Sequence, residues 1–396
     1  MNPYLLMALK AVVVLGALLA TLLYIQWVER KVIAHIQRRL GPYRVGPHGL
    51  LQPVADTLKL LLKEDLFPTH VNRFLYLLAP FLAVTLALIS IAVIPFGPEI
   101  EVAGVRTWLQ VTDLNVGVLF VLAISSLTVY AIVLAGWSSN SKYPLLGGLR
   151  SAAQMVGYEL PLGMAVAAPL LMAGSLSLRE IVLSQGTFYG GFLPGWNLFR
   201  MPFPQVISFF VFMIAAFAET NRIPFDLPEA ENELVAGFHT EYSSLKFACF
   251  FMAEYANMIT VCCMATVLFL GGWLPPWPAE YGSNYLPSAG LLLCGALFLY
   301  HGLPPAFRRD RLTLPAAGIA AILAAGVLLI PAVQELAMPL VWFLAKTGFL
   351  LLVFIWVRGT LPRLRYDQLM RFTWTFLFPV GVLNLMATGL VVALRS

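Results

Sequence analysis

Long apolar segments recur along the whole chain, and they restrict its fold more than any other feature of the sequence. The first of them, residues 3–28, contains a single charged side chain, Lys10. A helix of about 20 apolar residues can cross the hydrocarbon core of a bilayer, because its backbone hydrogen bonds are satisfied internally. Hydrophobic residues make up 60% of the chain and charged residues 11%, which excludes a soluble globular protein. The sequence therefore predicts a polytopic α-helical membrane protein.

The apolar segments predict ten membrane spans. They cover residues 3–28, 74–96, 114–137, 157–174, 205–218, 247–273, 285–303, 312–333, 340–357 and 373–394. We expect an all-α fold, a transmembrane helical bundle that forms a single membrane domain over residues 1–396. The fourth and fifth spans are short or interrupted by Pro161, Pro169 and Pro204, and broken helices often flank a cavity.

Positive charge predicts the orientation of the spans. With ten spans, 19 of the 25 Lys and Arg residues fall in the connections on one side, four fall on the other, and Lys10 and Lys346 lie within spans. Basic residues accumulate in cytoplasmic loops, so we expect that side to be inside and both termini to be outside. Lys346 is either the counter-charge of a membrane carboxylate or a side chain that reaches the outer interface.

The inner connection of residues 29–73 contains a second kind of helix. Its apolar side chains recur at helical spacing, at Leu51, Val54, Ala55, Leu58 and Leu62. Polar side chains occupy the opposite face, and the segment is too short to span a bilayer. We expect an amphipathic helix that lies in the plane of the membrane surface.

A dense acidic loop over residues 218–246 separates the fifth and sixth spans. It holds six of the 20 acidic residues, namely Glu219, Asp226, Glu229, Glu231, Glu233 and Glu241. Pro224 and Pro228 prevent a single unbroken helix. Because unpaired charge is costly in hydrocarbon, we expect this loop to face water, a water-filled cavity or a protein partner.

Four carboxylates are expected at membrane depth or at its edge on the inner side: Glu159, Glu219, Asp226 and Glu254. Carboxyl groups that are taken out of water and placed near one another bind protons more readily, so such a cluster can relay protons. The alternative is that each is paired, for example with Arg222, or stabilises a broken helix. The cluster as a whole favours proton transfer.

Basic residues beside the span ends have two interpretations. Arg30, Arg38, Arg39 and Arg358 either set the topology alone or line a polar mouth for an amphiphile with a polar head and an apolar tail. The four cysteines are expected to be small core residues, and the five histidines show no ligand spacing. We find no nucleotide-binding or metal-binding motif, and we expect neither a nucleic-acid partner nor a metal or flavin in this chain.

Five segments of the sequence resemble the signature segments of one family, in the same order. They are WVERKVIAHIQRRLGP, GPHGLLQPVADTLKLLLKED, AETNRIPFDLPEAENELVAGFHTEY, MAEYANM and VRGTLPRLRYDQLMRFTW. The family is that of the H subunit, or subunit 1, of proton-pumping NADH:quinone oxidoreductase, respiratory complex I. The resemblance implies a protein without a redox centre that anchors the peripheral arm, forms much of the quinone access chamber and begins the proton-coupling route.

The resemblance also implies roles for individual residues. The proton-coupling acids would be Glu159, Glu219, Asp226, Glu229, Glu231, Glu233 and Glu254. The chamber residues would be Glu29, Arg30, Gln37, Arg39, Asp56, Phe225 and Arg358. The substrate would be a quinone, either ubiquinone or menaquinone, that is not covalently bound. Partners would be the other membrane-arm subunits, the soluble quinone-site subunits of the peripheral arm and membrane lipid. The location would be a bacterial inner membrane, with the acidic loop in the cytoplasm.

One segment departs from the family pattern, which usually has eight spans. Residues 276–335 are expected to add a hairpin of two spans that packs at the periphery and leaves the quinone and proton roles untouched. Two other functions stay open. One is the homologous anchor subunit of a membrane-bound hydrogenase or of a quinone reductase driven by ferredoxin or deazaflavin. The other is a stand-alone ion transporter, which would favour an internal repeat and a binding site at the midplane.

Overall fold

The computed structural model describes residues 3–102, 104–226, 235–302 and 310–394. These residues form thirteen α-helices: α1 (Pro3–Ile36), α2 (Gln52–Leu62), α3 (Arg73–Ile89), α4 (Gly117–Ser138), α5 (Lys142–Ala173), α6 (Leu178–Ser184), α7 (Val206–Glu219), α8 (Ser244–Phe269), α9 (Leu286–Gly302), α10 (Asp310–Leu328), α11 (Pro331–Thr360), α12 (Tyr366–Phe372) and α13 (Phe378–Ala393). A π-helical turn, Thr373–Leu377, joins α12 to α13. The all-α fold predicted from the sequence is confirmed.

Strands and short helices occupy the connections. Two antiparallel hairpins are present, β1 (Gly97–Val102) with β2 (Val105–Leu109) and β3 (Phe188–Tyr189) with β4 (Leu193–Pro194). Short 3-10 helices cover Pro47–Gly49, Ser90–Val93, Gly237–His239, Ala279–Tyr281 and Ser283–Tyr285. In β1 and β2, Gly97 faces Leu109 and Glu101 faces Arg106.

Nine helical segments of the described chain are long and apolar enough to cross a membrane. The helix α7 is apolar too, but it has only 14 residues, or about 21 Å at the usual rise. Together they correspond to the ten predicted spans, with the fifth as short as the sequence indicates. The predicted amphipathic helix is α2. Its apolar stripe is exposed in the isolated chain, with Leu62 86% accessible, as expected of a helix that lies on a bilayer.

The helix α5 is longer than the prolines suggest. It begins at Lys142, 15 residues before the predicted start of the fourth span, and it continues through Pro161 and Pro169. Small residues let its first half pack closely. A Cβ atom added to Gly147 would lie 2.9 Å from the Cα atom of Gly237. Because this close packing fixes the backbone, the segment stays helical where the sequence alone predicts a loop.

The core lies among α3, α4, α5, α7 and α8. The helix α4 packs on α3 and α5, α7 packs on α5, and α8 packs on α3. Fully buried side chains such as Tyr76, Tyr158 and Phe269 fill it. The helix α1 packs at the edge of this core, where it contacts α2, α8 and α11.

The helices α9 and α10 fall within the predicted hairpin of residues 276–335. They pack mainly on each other and, more weakly, on α11. Gly295 and Gly318 face each other across the pair, since a Cβ atom on Gly295 would lie 2.9 Å from the carbonyl oxygen of Gly318. Such close approach of small residues is typical of helix pairs in membranes. The Thr313 hydroxyl also lies 2.9 Å from Nε2 of His48, in the connection between α1 and α2.

Candidate functional site

The carboxylate of Glu29 lies at the centre of a buried group of charged and aromatic side chains. Only 3% of Glu29 is exposed. Its Oε1 atom forms an ion pair with the guanidinium of Arg358 from α11 and lies 3.4 Å from Nη1 of Arg222. The hydroxyl of Tyr255, from α8, donates to its Oε2 atom at 2.7 Å. Elements that are far apart in sequence therefore meet at one carboxylate of α1.

Arg222 connects this carboxylate to a second one. Its Nε atom lies 3.0 Å from Oε1 of Glu254, and its guanidinium carbon lies 4.0 Å from the ring centroid of Tyr255. Two carboxylates and the two guanidinium groups of Arg222 and Arg358 balance in charge when all are ionised. Buried charges are tolerated only when they are paired, so Arg222 is an essential member of the group.

The segment that follows α7 is held from two sides. Asp226, 6% exposed, lies 2.9 Å from Nη2 of Arg363, which follows α11. The side-chain amide of Gln154 in α5 donates to the carbonyl of Phe225 at 2.6 Å. The Phe225 ring packs 5.5 Å from that of Tyr158. These contacts fix the start of the acidic loop against α5 and the end of α11.

Glu219, the last residue of α7, lies between two small cavities whose linings combine apolar side chains with several polar ones. One, of about 30 Å³, is lined by Ser90, Ser125 and Thr260 among others, and the second, of about 40 Å³, is lined by Glu254 and Thr128. Glu219, Thr220 and Asn257 line both cavities. A polar cavity of this size holds one or two water molecules. The arrangement therefore places Glu219 where water can connect it to Glu254.

Glu159 approaches the same region from α5. The hydroxyl of Ser126 in α4 donates a hydrogen bond to its carboxylate. Ser125, the preceding residue, lines the smaller of the two cavities. The structure thus brings three of the four predicted carboxylates, Glu159, Glu219 and Glu254, close to α4, α7 and α8. The fourth, Asp226, pairs with Arg363.

A much larger cavity, of about 620 Å³, opens between α1, α2 and α8. Its walls are mostly apolar, and they include Leu22, Leu60 and Met252. Two of the predicted chamber residues, Arg30 and Asp56, line this cavity, and the Nη1 atom of Arg30 lies 2.7 Å from Oδ2 of Asp56. Tyr255 lines it as well and connects it to Glu29.

Five of the seven predicted chamber residues do not line the large cavity. Glu29 and Arg358 pair with each other beside Tyr255, and Phe225 packs on Tyr158. Gln37 and Arg39 follow the end of α1, are exposed, and bond with each other at 2.8 Å. Three predicted coupling acids, Glu229, Glu231 and Glu233, lie outside the described residues.

Lys346 pairs with backbone carbonyls, and no ion pair with a carboxylate is found for it among the described residues. Its ammonium group is buried and donates to the carbonyls of Leu270, Gly272 and Leu274, which follow α8. It also lies 4.2 Å from the ring centroid of Trp196. Carbonyls left open at a helix C-terminus attract cations, so Lys346 stabilises the end of α8.

Four residues of the site were not singled out from the sequence. Tyr255 and Asn257 follow Glu254 in the MAEYANM segment, and their position beside an acid in an apolar helix was the available signal. Arg363 and Gln154 hold the start of the acidic loop from distant parts of the chain, and no local pattern marks them. Within the described ranges, no group of three or more His, Cys, Asp or Glu side chains is arranged to hold a metal ion.

The sequence of this chain matches one protein family over nearly its whole length. The NADH dehydrogenase family matches residues 9–389. The chain is 65% identical to the NADH-quinone oxidoreductase H subunit 1 of Solibacter usitatus over 384 residues, which are 97% of this chain and 96% of that protein. It is 50% identical to the H subunit 2 of the Koribacter versatilis enzyme, covering 99% and 98% of the two chains. It is 46% identical to the H subunit 1 of the Geobacter sulfurreducens enzyme, covering 99% and 97%.

The alignment with the Solibacter protein extends over 97% of this chain, so the 60 residues of the hairpin, 276–335, do not lie wholly outside it.

The resemblance seen in the five sequence segments is thus confirmed over the full length. The coarse expectations follow with it, namely a multi-pass membrane protein that works as one subunit of an enzyme complex with other subunits as partners. The chain belongs to the NADH dehydrogenase family, as the H subunit of NADH-quinone oxidoreductase, respiratory complex I.

Proposed function

We propose that this protein forms the quinone access chamber of its complex and the first part of the route that couples quinone reduction to proton translocation. The cavity of about 620 Å³ between α1, α2 and α8 carries the first half of the proposal. It is large enough for part of an isoprenoid chain, and its mostly apolar lining includes the ion pair of Arg30 and Asp56. An apolar chamber with a polar patch suits an amphiphile with a polar head.

The exposed apolar stripe of α2 supports the direction of entry. A helix that lies in the membrane surface beside the cavity would let a quinone pass from the bilayer between α1, α2 and α8. Its head would then move towards a soluble subunit of the peripheral arm, where it would be reduced. The chain contributes binding and orientation, while the redox centres belong to partner subunits. The quinone, ubiquinone or menaquinone, is the substrate.

The position of Arg222 between two carboxylates supports the second half of the proposal, the coupling of quinone reduction to proton transfer. Arg222 lies between Glu29, which contacts the chamber through Tyr255, and Glu254, which lines an inner polar cavity. A change of charge at the quinone head would shift Arg222 towards one carboxylate and away from the other. The carboxylate that loses its counter-charge then binds a proton. Such a shift converts a redox event into a protonation change at Glu254.

From Glu254 the proton route continues through the two small cavities. Glu219 lines both of them, and Glu159 accepts a hydrogen bond from Ser126, whose neighbour Ser125 lines the smaller one. Asp226, Glu229, Glu231 and Glu233 of the acidic loop would move with the quinone head and set the protonation of this route. Protons would then pass to the next membrane subunit, with the acidic loop on the cytoplasmic side of a bacterial inner membrane and both termini outside.

A pair of substitutions tests the chamber. Ala248 lines it, whereas Ala345 lines a second apolar groove, of about 680 Å³, between α1 and α11. Ala248→Trp should raise the KM for a long-tailed quinone by about tenfold while affecting a short-tailed quinone less, because the tail occupies the filled space. Ala345→Trp adds the same side chain beside the other groove and should leave both KM values unchanged. The reverse pattern would assign the quinone to the α1–α11 groove.

A further inference from the structure

Phe251 lines both the chamber, which is the cavity of about 620 Å³, and the cavity of about 40 Å³ beside Glu219 and Glu254, here called the inner cavity. Among the described residues, it is the only one whose side chain lines both the cavity of about 620 Å³ and the cavity of about 40 Å³. The chamber is bounded by α1, α2 and α8, and the smaller cavity is lined by Glu219, Glu254 and Asn257 among others. Phe251 is therefore the point of α8 at which the linings of the two spaces meet.

Neighbouring aromatic rings hold the Phe251 ring in place. Phe247, one turn earlier on the same face of α8, lies 4.7 Å away between ring centroids. The His239 ring lies edge-on to Phe251 at 5.7 Å. Tyr255, one turn later, is fixed by its hydrogen bond to Glu29 and by the guanidinium of Arg222. Residues four apart share a helix face, so the three aromatic side chains of α8 form a continuous wall.

The inner cavity and the wall between it and the chamber differ in their capacity to form hydrogen bonds with water. The inner cavity is small and has carboxyl and amide groups in its lining, so it can hold one or two ordered water molecules. The wall that faces it from the chamber is apolar, and an apolar ring offers no hydrogen bond to a water molecule that crosses it. Proton transfer by water needs a continuous chain of hydrogen bonds, which the ring interrupts.

We propose that the Phe251 ring is the partition that separates the chamber from the Glu219–Glu254 cavity, and that its displacement opens a water connection between them. The structural part of this inference stands on the two cavities alone. The consequence for coupling rests on the proposed function. In that function Phe251 is a positioning residue, because water from the chamber reaches the carboxylates only when the ring is displaced.

The same helix offers two matched controls. Phe247 lines the chamber but not the inner cavity, and Phe250 lines the inner cavity but not the chamber. Replacing any of the three by Ala removes the same atoms from the same helix. Only Phe251→Ala joins the two spaces, whereas Phe247→Ala enlarges one and Phe250→Ala enlarges the other.

A thiol placed in the inner cavity reports the connection. Asn257 lines both small cavities and not the chamber, so Asn257→Cys is introduced into a chain in which the four native cysteines are replaced by Ala. The intact complex is purified and treated with the water-soluble reagent methanethiosulfonate ethylammonium, and labelling is followed by mass spectrometry. A parallel chain that keeps only the native Cys249, which lines the chamber, measures access to the chamber itself.

The proposal predicts slow labelling of Asn257→Cys in the presence of Phe251. Adding Phe251→Ala should accelerate the labelling at least about tenfold, because the ring no longer has to move aside before the reagent enters. Phe247→Ala and Phe250→Ala should not accelerate it. If Phe251→Ala prevents assembly, Phe251→Val, which keeps more of the side chain, should give a smaller acceleration in the same direction.

Equal labelling rates in all three Ala variants would overturn the partition. Fast labelling of Asn257→Cys with Phe251 intact would overturn it too, since water would then reach the cavity by another way. Proton translocation per electron in the Phe251→Ala complex tests the coupling consequence separately. A fall in that ratio with electron transfer retained supports it. An unchanged ratio in a complex whose thiol is labelled fast would remove Phe251 from the coupling while leaving the quinone chamber in place.

Discussion

The Nε atom of Arg222 lies 3.0 Å from the carboxylate of Glu254. The same guanidinium group reaches Glu29 through its Nη1 atom at 3.4 Å. One cation therefore serves two carboxylates, one beside the chamber and one beside the inner cavity. This relationship is the link on which the proposed coupling depends, because any movement of Arg222 changes the charge balance at both.

Removing Arg222 tests that link directly. Arg222→Met leaves Glu254 buried without its counter-charge, and loss of one partner of a buried pair costs about 3–5 kcal/mol. We expect a lower thermal stability of the complex and a loss of most quinone reductase activity. Arg179→Met is the control, since Arg179 makes a 2.8 Å pair with Asp113 and lies 4.9 Å from the Trp108 ring, but in a partly exposed setting. It should cost about 1 kcal/mol or less. Equal effects would contradict a special role for the buried pair.

Glu219→Gln tests the proton route beyond Arg222. The substitution keeps the shape of the side chain and removes the titrating group between the two small cavities. Assembly should be spared, and coupled turnover should fall at least about tenfold, as for the loss of a proton-transfer group. Turnover and proton pumping are measured in proteoliposomes. Glu180→Gln, on α6 and bonded to Ser175, serves as the control for loss of an acid outside the cluster. Normal pumping in the Glu219 variant would remove Glu219 from the route.

Close packing of α5 against the end of the acidic loop predicts a contrast between two glycines. A Cβ atom on Gly147 would meet backbone atoms of Gly237 and Phe238 at 2.9 Å, and backbone cannot move aside easily. Gly147→Ala should therefore destabilise the protein by about 1–3 kcal/mol. Gly163 lies on the same helix with no atom within 4 Å of the added Cβ, so Gly163→Ala should be neutral or slightly stabilising. Thermal inactivation of the two complexes measures the difference.

His239 predicts how stability depends on pH. Burial among aromatic rings lowers the pKa of His239 to about 4, from 6.5. Above pH 6.5 the residue is neutral in both folded and unfolded chains and contributes nothing to the pH dependence. Between pH 6.5 and about 4 only the unfolded chain binds the proton, so stability falls as pH falls, by at most about 3 kcal/mol.

Substitution of His239 isolates this contribution. Thermal stability of the wild-type complex and of a His239→Gln complex is compared between pH 7.5 and pH 5. The variant should lose less stability over that interval, because its residue 239 does not titrate. Parallel curves for the two complexes would show that His239 does not set this part of the pH dependence.

The hairpin of α9 and α10 supplies a prediction about the periphery. These helices pack mainly on each other, and a hydrogen bond between Thr313 and His48 joins them to the connection between α1 and α2. Deletion of residues 283–334 should keep assembly and quinone reductase activity. A deletion that assembles but is inactive in quinone reduction would show that the hairpin acts on the chamber.

The spans and the surface helix could be predicted because hydropathy and helical spacing are local properties of the sequence. The start of α5 could not, since Gly147 becomes helical through its contact with Gly237, which is 90 residues away. The carboxylates at membrane depth were apparent from their surroundings. Their partners were not, because Arg222 joins two acids on different helices and Lys346 binds backbone carbonyls, which no residue pattern reveals. Gln37 and Arg39 were expected at the chamber from the resemblance, yet they lie in an exposed turn after α1.

The most direct test of the account is to locate a quinone in the complex. A quinone with a photoreactive group in its tail is added to the purified complex, irradiated, and the labelled peptides are identified by mass spectrometry. The account predicts labels on α1, α2 and α8, at residues of the chamber wall such as Leu22, Leu60 and Met252. Labels confined to the groove between α1 and α11, at residues such as Phe349, would contradict it.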